Sequence, residues 1–199
     1  MSHQLVNQTS GLVEYYTQRQ FIESARATMG SIDLDPASCG EANQRVKAAH
    51  YFTKEIDGLS QAWFGNVWMN HPFHRGEKPC HKDRNKCKKQ ACKKRGYHID
   101  QEIPSNAHWI NKLISEYKSG NIKQATIITF ASTSETWFLP LLKFPQCFPF
   151  GRVQYHEPGG GIASSVTKGS VITYIGPHTD NFFLNFSPLG EIKTAYQQG

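Results

Sequence analysis

The sequence predicts an α/β fold, a three-layer arrangement with helices on both faces of a sheet, and three observations carry that prediction. Helical and strand signals alternate along the chain before it closes mainly in strands. Two stretches, residues 65–69 ("GNVWM") and 124–132 ("QATIITFAS"), are too apolar or β-branched to be edge strands. The first of them runs directly into a polar turn, Asn70, His71, Pro72 and Phe73. In an open α/β sheet, the carboxyl end of a buried strand is where ligands bind.

The elements read in order as follows. Residues 1–13 lack periodicity and are expected to be a loose tail, leaving 14–199 as one domain with a polar insertion at 74–102. Thr17 and Gln20 have capping-box spacing, Phe21, Ile22, Ala25 and Met29 share one helical face, and Gly30 is a stop, so a helix is predicted over 18–29. Ser31 to Asp35 alternates apolar and acidic residues and stops at Pro36, which predicts a short strand ending in carboxylates. Ser38 and Glu41 repeat the capping-box spacing and predict a helix through Ala49. After the insertion, Ser105 caps a helix with Trp109, Leu113, Ile114 and Tyr117 on one face and Gly120 as its stop. Ser132 and Glu135 open a short helix interrupted at Pro140. A strand or hairpin arm is expected near 147–156, a glycine-rich loop after it, a clear strand over "SVITYIGP", and a further strand in "HTDNFFLNFSPLGEI".

Charge is unevenly spread. The chain carries +6 overall, yet His74 to His98 holds ten Lys and Arg against two acids, +8, which leaves about −2 for the rest. A basic character confined to one insertion points to a polyanion partner, and a solvated lysine-rich loop is the plain alternative. Arg75, Lys82, Arg84, Lys88, Lys89, Lys93, Lys94 and Arg95 are the candidate phosphate contacts, giving salt-sensitive affinity with little sequence information. No apolar run approaches a membrane span and no signal-peptide pattern opens the chain, so a soluble, cytoplasmic protein is expected.

The same insertion holds Cys80, Cys87, Cys92 and His98 at spacing C-x6-C-x4-C-x5-H. Three thiolates and an imidazole suit tetrahedral zinc. So polar a segment cannot build a core of its own, so a metal would be its main source of order. His81 and His74 are rival ligands, and a loop with reduced, unliganded cysteines is the alternative. Cys39 and Cys147 read as packing residues.

The turn Asn70–Phe73, preceded by "YYT" at 15–17 and by "IDLDPAS…AN…VKA…YFT…DGL…W" from Ile32 to Trp63, resembles the bacteriophage-type DNA adenine-N6 methyltransferases. In that family a (D/N/S)-P-P-(Y/F/W) turn holds the amino group of a flipped base. The resemblance implies a class I methyltransferase-like, Rossmann-like three-layer sandwich whose closing strands form a reversed hairpin. It implies S-adenosylmethionine as cofactor, DNA as partner, and a phage or prophage gene acting in a bacterial host. Carried over, Asn70 and the His71 carbonyl would accept the amino hydrogens, with Pro72 in the turn, and Phe73 would stack on the extruded base. Tyr16 and Thr17 match a cofactor-contacting lead-in, although Gln18 stands where the family often has proline. Asp33, Asp35, Pro36 and Ala37 match the segment that replaces the glycine-rich cofactor motif, and Asp57 and Leu59 match positions near the cofactor adenine. His71 departs from the family proline and loses its fixed φ. Asn at position 70 favours adenine N6 over cytosine N4. Methylation of an RNA base and a non-catalytic, zinc-stabilised nucleic-acid-binding protein are the alternatives.

Overall fold

A computed structural model describes residues 16–156, 161 and 168–194. The expected tail at 1–13, most of the glycine-rich loop and the last five residues lie outside them.

Among the described residues, seven strands form one mixed sheet in the order β2 (His50–Tyr51), β1 (Leu34–Asp35), β3 (Gly65–Met69), β6 (Ile122–Phe130), β8 (Ser170–Ile175), β7 (Gln146–Pro149) and β9 (Gly190–Lys193). The first four are parallel to their neighbours, and β8, β7 and β9 join by antiparallel pairing. Alternation along the strands serves two cores. Trp68, Ile128, Ile172 and Tyr174 meet α1 (Arg19–Met29) and α5 (Thr179–Phe186) through Phe21, Ile22, Ala25, Phe182 and Phe186. Val67, Met69, Ile127 and Val171 meet α4 (Asn106–Lys118) through Trp109, Ile110 and Leu113. Helices therefore cover both faces, as the alternating sequence predicts.

The chain passes from β1 through α2 (Gly40–Val46) to β2, then returns past β1 to β3. It next crosses the opposite face through α4 to β6. The order of winding thus reverses between β1 and β3, which opens a crevice at their carboxyl ends. The expected insertion is closed at its base by a two-stranded ribbon, β4 (Arg75–Glu77) against β5 (Ile103–Ser105), with Arg75 opposite Ser105 and Glu77 opposite Ile103. It contains one further helix, α3 (Gln90–Arg95).

Several local expectations are corrected. Gln18, not Thr17, is the N-cap residue of α1, and no side-chain cap bond forms there; the Thr17 hydroxyl accepts from Asn70 instead. The first turn of α2 is capped by Cys39, whose sulfur accepts from Ala42 N, and not by Ser38. That helix ends at Val46, where Lys47 adopts a left-handed conformation, φ 51°. The predicted helix after Ser132 is reduced to a 3-10 turn over Leu139–Lys143 around Pro140. The closing segment expected as a strand is first the helix α5 and only then β9. Ser105 does cap α4, reciprocally with His108, as its spacing predicts. No helix among the described residues is long and apolar enough to cross a membrane.

Candidate active site and metal centre

The crevice brings together residues far apart in sequence. Leu34 pairs with Val67, so Asp35 ends β1 beside the end of β3, and Asn70 follows directly. Period-2 alternation places Asp35, Trp68 and Asn70 on the α1 side of the sheet. There Asn70 Nδ2 donates to Thr17 Oγ1 at 3.2 Å. Thr17 is buried just ahead of α1. Tyr16 is buried beside it and donates through its hydroxyl to Glu41 Oε2 at 3.2 Å, linking this lead-in to the start of α2.

Pro36 and the 57–59 loop are locked together. A Cβ on Gly58 would lie 1.9 Å from the Pro36 carbonyl oxygen, so only glycine permits the approach. Asp57 takes a left-handed φ of 55° and accepts from Leu59 N at 3.2 Å, and Trp63 Nε1 holds the Gly58 carbonyl at 2.8 Å. The 35–37 segment and the 57–59 loop therefore lie against each other through Pro36 and Gly58, with Ala37 and Leu59 packed on the α4-side core. Asp33 does not belong with them. Its carboxylate accepts from Asn66 N and Ser31 Oγ, both at 2.8 Å, at the amino end of β3. Four residues of strand, about 13 Å, separate that end from Asn70.

Burial pushes the Asp35 carboxyl up to about 7, against the bond accepted from Ala37 N at 3.2 Å and the influence of the Ser38 side chain. The folded chain binds this proton more tightly than the unfolded chain, whose carboxyl titrates near 3.9. The contribution to stability is thus full below about pH 4 and is lost as pH rises through about 7. Asp35→Asn is expected to raise the melting temperature more at pH 8 than at pH 5. Equal shifts at the two pH values, measured by thermal unfolding, would contradict a buried, proton-retaining Asp35.

The turn itself is held by side chains. His71 is 1% exposed, and burial lowers its imidazole to about 4, so the ring is neutral across physiological pH. Its Nε2 lies 3.2 Å from Asn106 Oδ1. Its ring packs edge-on to Phe73 at 5.0 Å and against Trp109 at 6.1 Å. The turn is thus fixed through a buried side chain. Pro72 is exposed, and Phe73 is half-buried against Phe130 with ring centroids 4.3 Å apart.

In the insertion, one ligand atom from each of Cys80, Cys87, Cys92 and His98 lies within 4.8 Å of the others. The sulfurs of Cys87 and Cys92 are 3.8 Å apart and those of Cys80 and Cys92 are 3.1 Å apart. Four-coordinate zinc with Zn–S near 2.3 Å places its sulfurs about 3.8 Å apart. The donor set and tetrahedral count fit that ion, the Cys87–Cys92 separation matches it and the Cys80–Cys92 separation is shorter, and all five cysteines of the chain are unbridged. The rival ligands are occupied elsewhere: His81 Nδ1 accepts from Asp83 N at 3.0 Å and His74 Nδ1 from Gly76 N at 2.9 Å. Burial raises the Cys80 thiol, but bonds from Ile99 N and from the neighbouring Cys92, His98 and Cys87 outweigh it and bring it down to about 6. Cys92, bonded to Cys80 and buried, is pushed up to about 11.

The basic residues divide into two sets. Arg95 turns inward to a bidentate pair with Glu77, at 2.9 and 3.2 Å, and lies 4.7 Å from the Tyr97 ring centroid. Lys89 caps the Lys78 and Pro79 carbonyls and Arg84 pairs with Asp100. These three build the knuckle. Arg75, Lys82, Lys88, Lys93 and Lys94 are exposed and form its charged outer face.

Comparison of the chain with family profiles, characterised proteins and solved structures finds no match. The geometry adds two residues that sequence reasoning missed, Asn106 and Trp109, both on α4 and both against His71. The cap at Ser105 signalled the start of α4 but carried no signal of an approach to residue 71.

Proposed function

We propose that the chain transfers a methyl group from S-adenosylmethionine to the N6 amino group of adenine in DNA. The observation that carries this reading is the Asn70–Phe73 turn at the carboxyl end of a buried strand, beside Asp35 in the crevice where the sheet reverses its winding. A seven-stranded sheet, parallel in one half and closed by antiparallel strands in the other, agrees with the class I methyltransferase-like expectation.

The chemistry needs an exocyclic amine whose lone pair is freed from the ring and aimed at an electrophilic carbon. Asn70 commits its amide nitrogen to Thr17, so its oxygen is the atom of that side chain suited to accept from the base amino group. The His71 carbonyl is the second acceptor, and the neutral, clamped imidazole behind it fixes its direction. Phe73 offers its ring to the extruded base. The segments Asp35 to Ala37 and Asp57 to Leu59 fit the cofactor, whose ammonium or ribose hydroxyls would offset the burial of Asp35. S-adenosylmethionine supplies the sulfonium methyl. Asn70 and the His71 carbonyl would hold the amine nitrogen toward that methyl carbon, and the amine proton would pass to solvent. Positioning and electrostatic alignment supply the rate.

Bound cofactor at 100 times its Kd should stabilise the fold by about 2.7 kcal/mol. Thermal unfolding with and without S-adenosylmethionine reads this directly, and an unchanged melting temperature at saturating cofactor would overturn the cofactor assignment. Phe73→Ala is expected to weaken binding of a substrate strand by about 1–3 kcal/mol, the worth of the stacking it removes. Unchanged affinity and rate would remove Phe73 from the site. The Cys/His cluster and its exposed lysines would also serve a non-catalytic nucleic-acid-binding protein. That reading predicts DNA binding without any cofactor-dependent stabilisation.

A further inference from the structure

We propose that Asn106 is the positioning residue of the catalytic turn, holding both ends of the segment His71–His74 through one amide oxygen. This rests on the reading of Asn70–Phe73 as a base-holding turn. Asn106 Oδ1 lies 3.2 Å from His71 Nε2 and accepts from His74 N at 3.1 Å. Asn106 N donates in return to the His74 carbonyl at 2.8 Å. These bonds tie one residue to two points of the turn, 35 and 32 positions earlier in the chain.

The residue is itself fixed. It is the first residue of α4, whose start is set by the reciprocal Ser105–His108 cap. Trp109, one turn further along α4, packs against the His71 ring. The preceding strand β5 is paired to β4, so the same residue sits where the metal-bearing knuckle rejoins the domain. Within the knuckle, Glu77 of β4 holds Arg95 of α3, and Cys80 pairs its backbone with Ile99. The order of the knuckle and the direction of the His71 carbonyl thus converge on Asn106.

An acceptor is what the position requires, and its charge is secondary. Aspartate presents the same acceptor geometry, and a carboxylate is tolerated at the first position of a helix. Alanine removes the acceptor while keeping the helix start. The test compares Asn106→Ala and Asn106→Asp with the parent protein in three measurements: kcat and KM for methyl transfer to DNA, cofactor affinity, and hydrogen exchange of the His74 amide. Asn106→Ala is expected to lower kcat at least 100-fold, with cofactor affinity and zinc content unchanged, and to accelerate His74 exchange at least 10-fold. Asn106→Asp is expected to stay within 10-fold of the parent in kcat and to keep the His74 amide protected.

Parent-like kcat in Asn106→Ala would overturn the proposal. So would an Asn106→Asp variant as inactive as Asn106→Ala although folded and zinc-loaded, or loss of cofactor affinity and zinc in step with kcat. If the parent protein transfers no methyl group, the methyltransferase reading fails, and the exchange rates alone decide the clamp. Accelerated exchange in the alanine variant and protection in the aspartate variant support it, and equal protection in both overturns it.

Discussion

Asn70→Ala is expected to lower methyl transfer by about 100- to 1,000-fold while leaving cofactor affinity within a few-fold of the parent. The magnitude follows from removing one aligned hydrogen-bonding group at a site where charge and geometry must be set before reaction. The selectivity follows from position. Asn70 follows the end of β3, and of the residues expected to contact the cofactor it bonds Thr17, whereas the segments 35–37 and 57–59 are held by contacts of their own. Truncating Asn70 also deprives the buried Thr17 hydroxyl of this bond, a small local cost. Single-turnover transfer and equilibrium cofactor binding separate the two effects. Full activity in the variant would remove Asn70 from the mechanism, and parallel loss of cofactor binding would make it a cofactor residue.

Removing the zinc that the Cys/His cluster could hold is expected to have the second large effect. The segment from Cys80 to His98 buries two cysteines and almost nothing else, so it lacks an apolar core to hold its shape without the ion. Chelation, or Cys92→Ser, should release α3 and scatter the exposed Lys82, Lys88, Lys93 and Lys94. DNA affinity should fall by at least 10-fold at moderate salt. The slope of log affinity against log salt should flatten by about 0.9 for each duplex phosphate that the lysines no longer neutralise. Metal analysis and salt titration of binding check this. Freshly purified protein without zinc, or an unchanged slope after its removal, would contradict the role given to the knuckle. The ribbon β4–β5 is expected to survive, since its pairing and the Asn106 bonds need no metal.

Much of the fold was legible because its central strands are unambiguous. β3, β6 and β8 are apolar or β-branched and bounded by polar turns, and the Ser105 cap opened α4 where its spacing predicts. The misreadings have two causes, long-range packing that overrides local pattern and local composition that suits more than one element. Thr17 has capping-box spacing with Gln20, yet its hydroxyl meets Asn70, 53 positions away. In α5, Phe182 and Phe186 have the i, i+4 spacing of a buried helical face, but a segment rich in aromatics also suits a strand.

Of the candidate site, the metal set Cys80, Cys87, Cys92 and His98 could be named from residue type and spacing, and the structure brings its four ligand atoms together. Asn70, His71 and Pro36 were named only through the family resemblance, and Asp35 was also legible as an acid at a strand end; the structure sets Asp35 and Asn70 at the ends of paired strands. Asp33 could not be separated from Asp35, since residues two apart on a strand share a face. Only the pairing of Asp33 with Asn66 shows that it serves the opposite end of β3. Arg95 could not be told from its neighbouring lysines, because its partner Glu77 lies across the knuckle. Asn106 was invisible for the same reason, being defined by what it reaches and not by what flanks it.

The central claim is tested most directly by incubating the protein with S-adenosylmethionine labelled in its methyl group and unmethylated DNA, then identifying the labelled nucleoside. The account predicts label in N6-methyladenine, abolished by Asn70→Ala. Label in N4-methylcytosine, label only when RNA is the acceptor, or no label from a zinc-loaded, folded protein would contradict it.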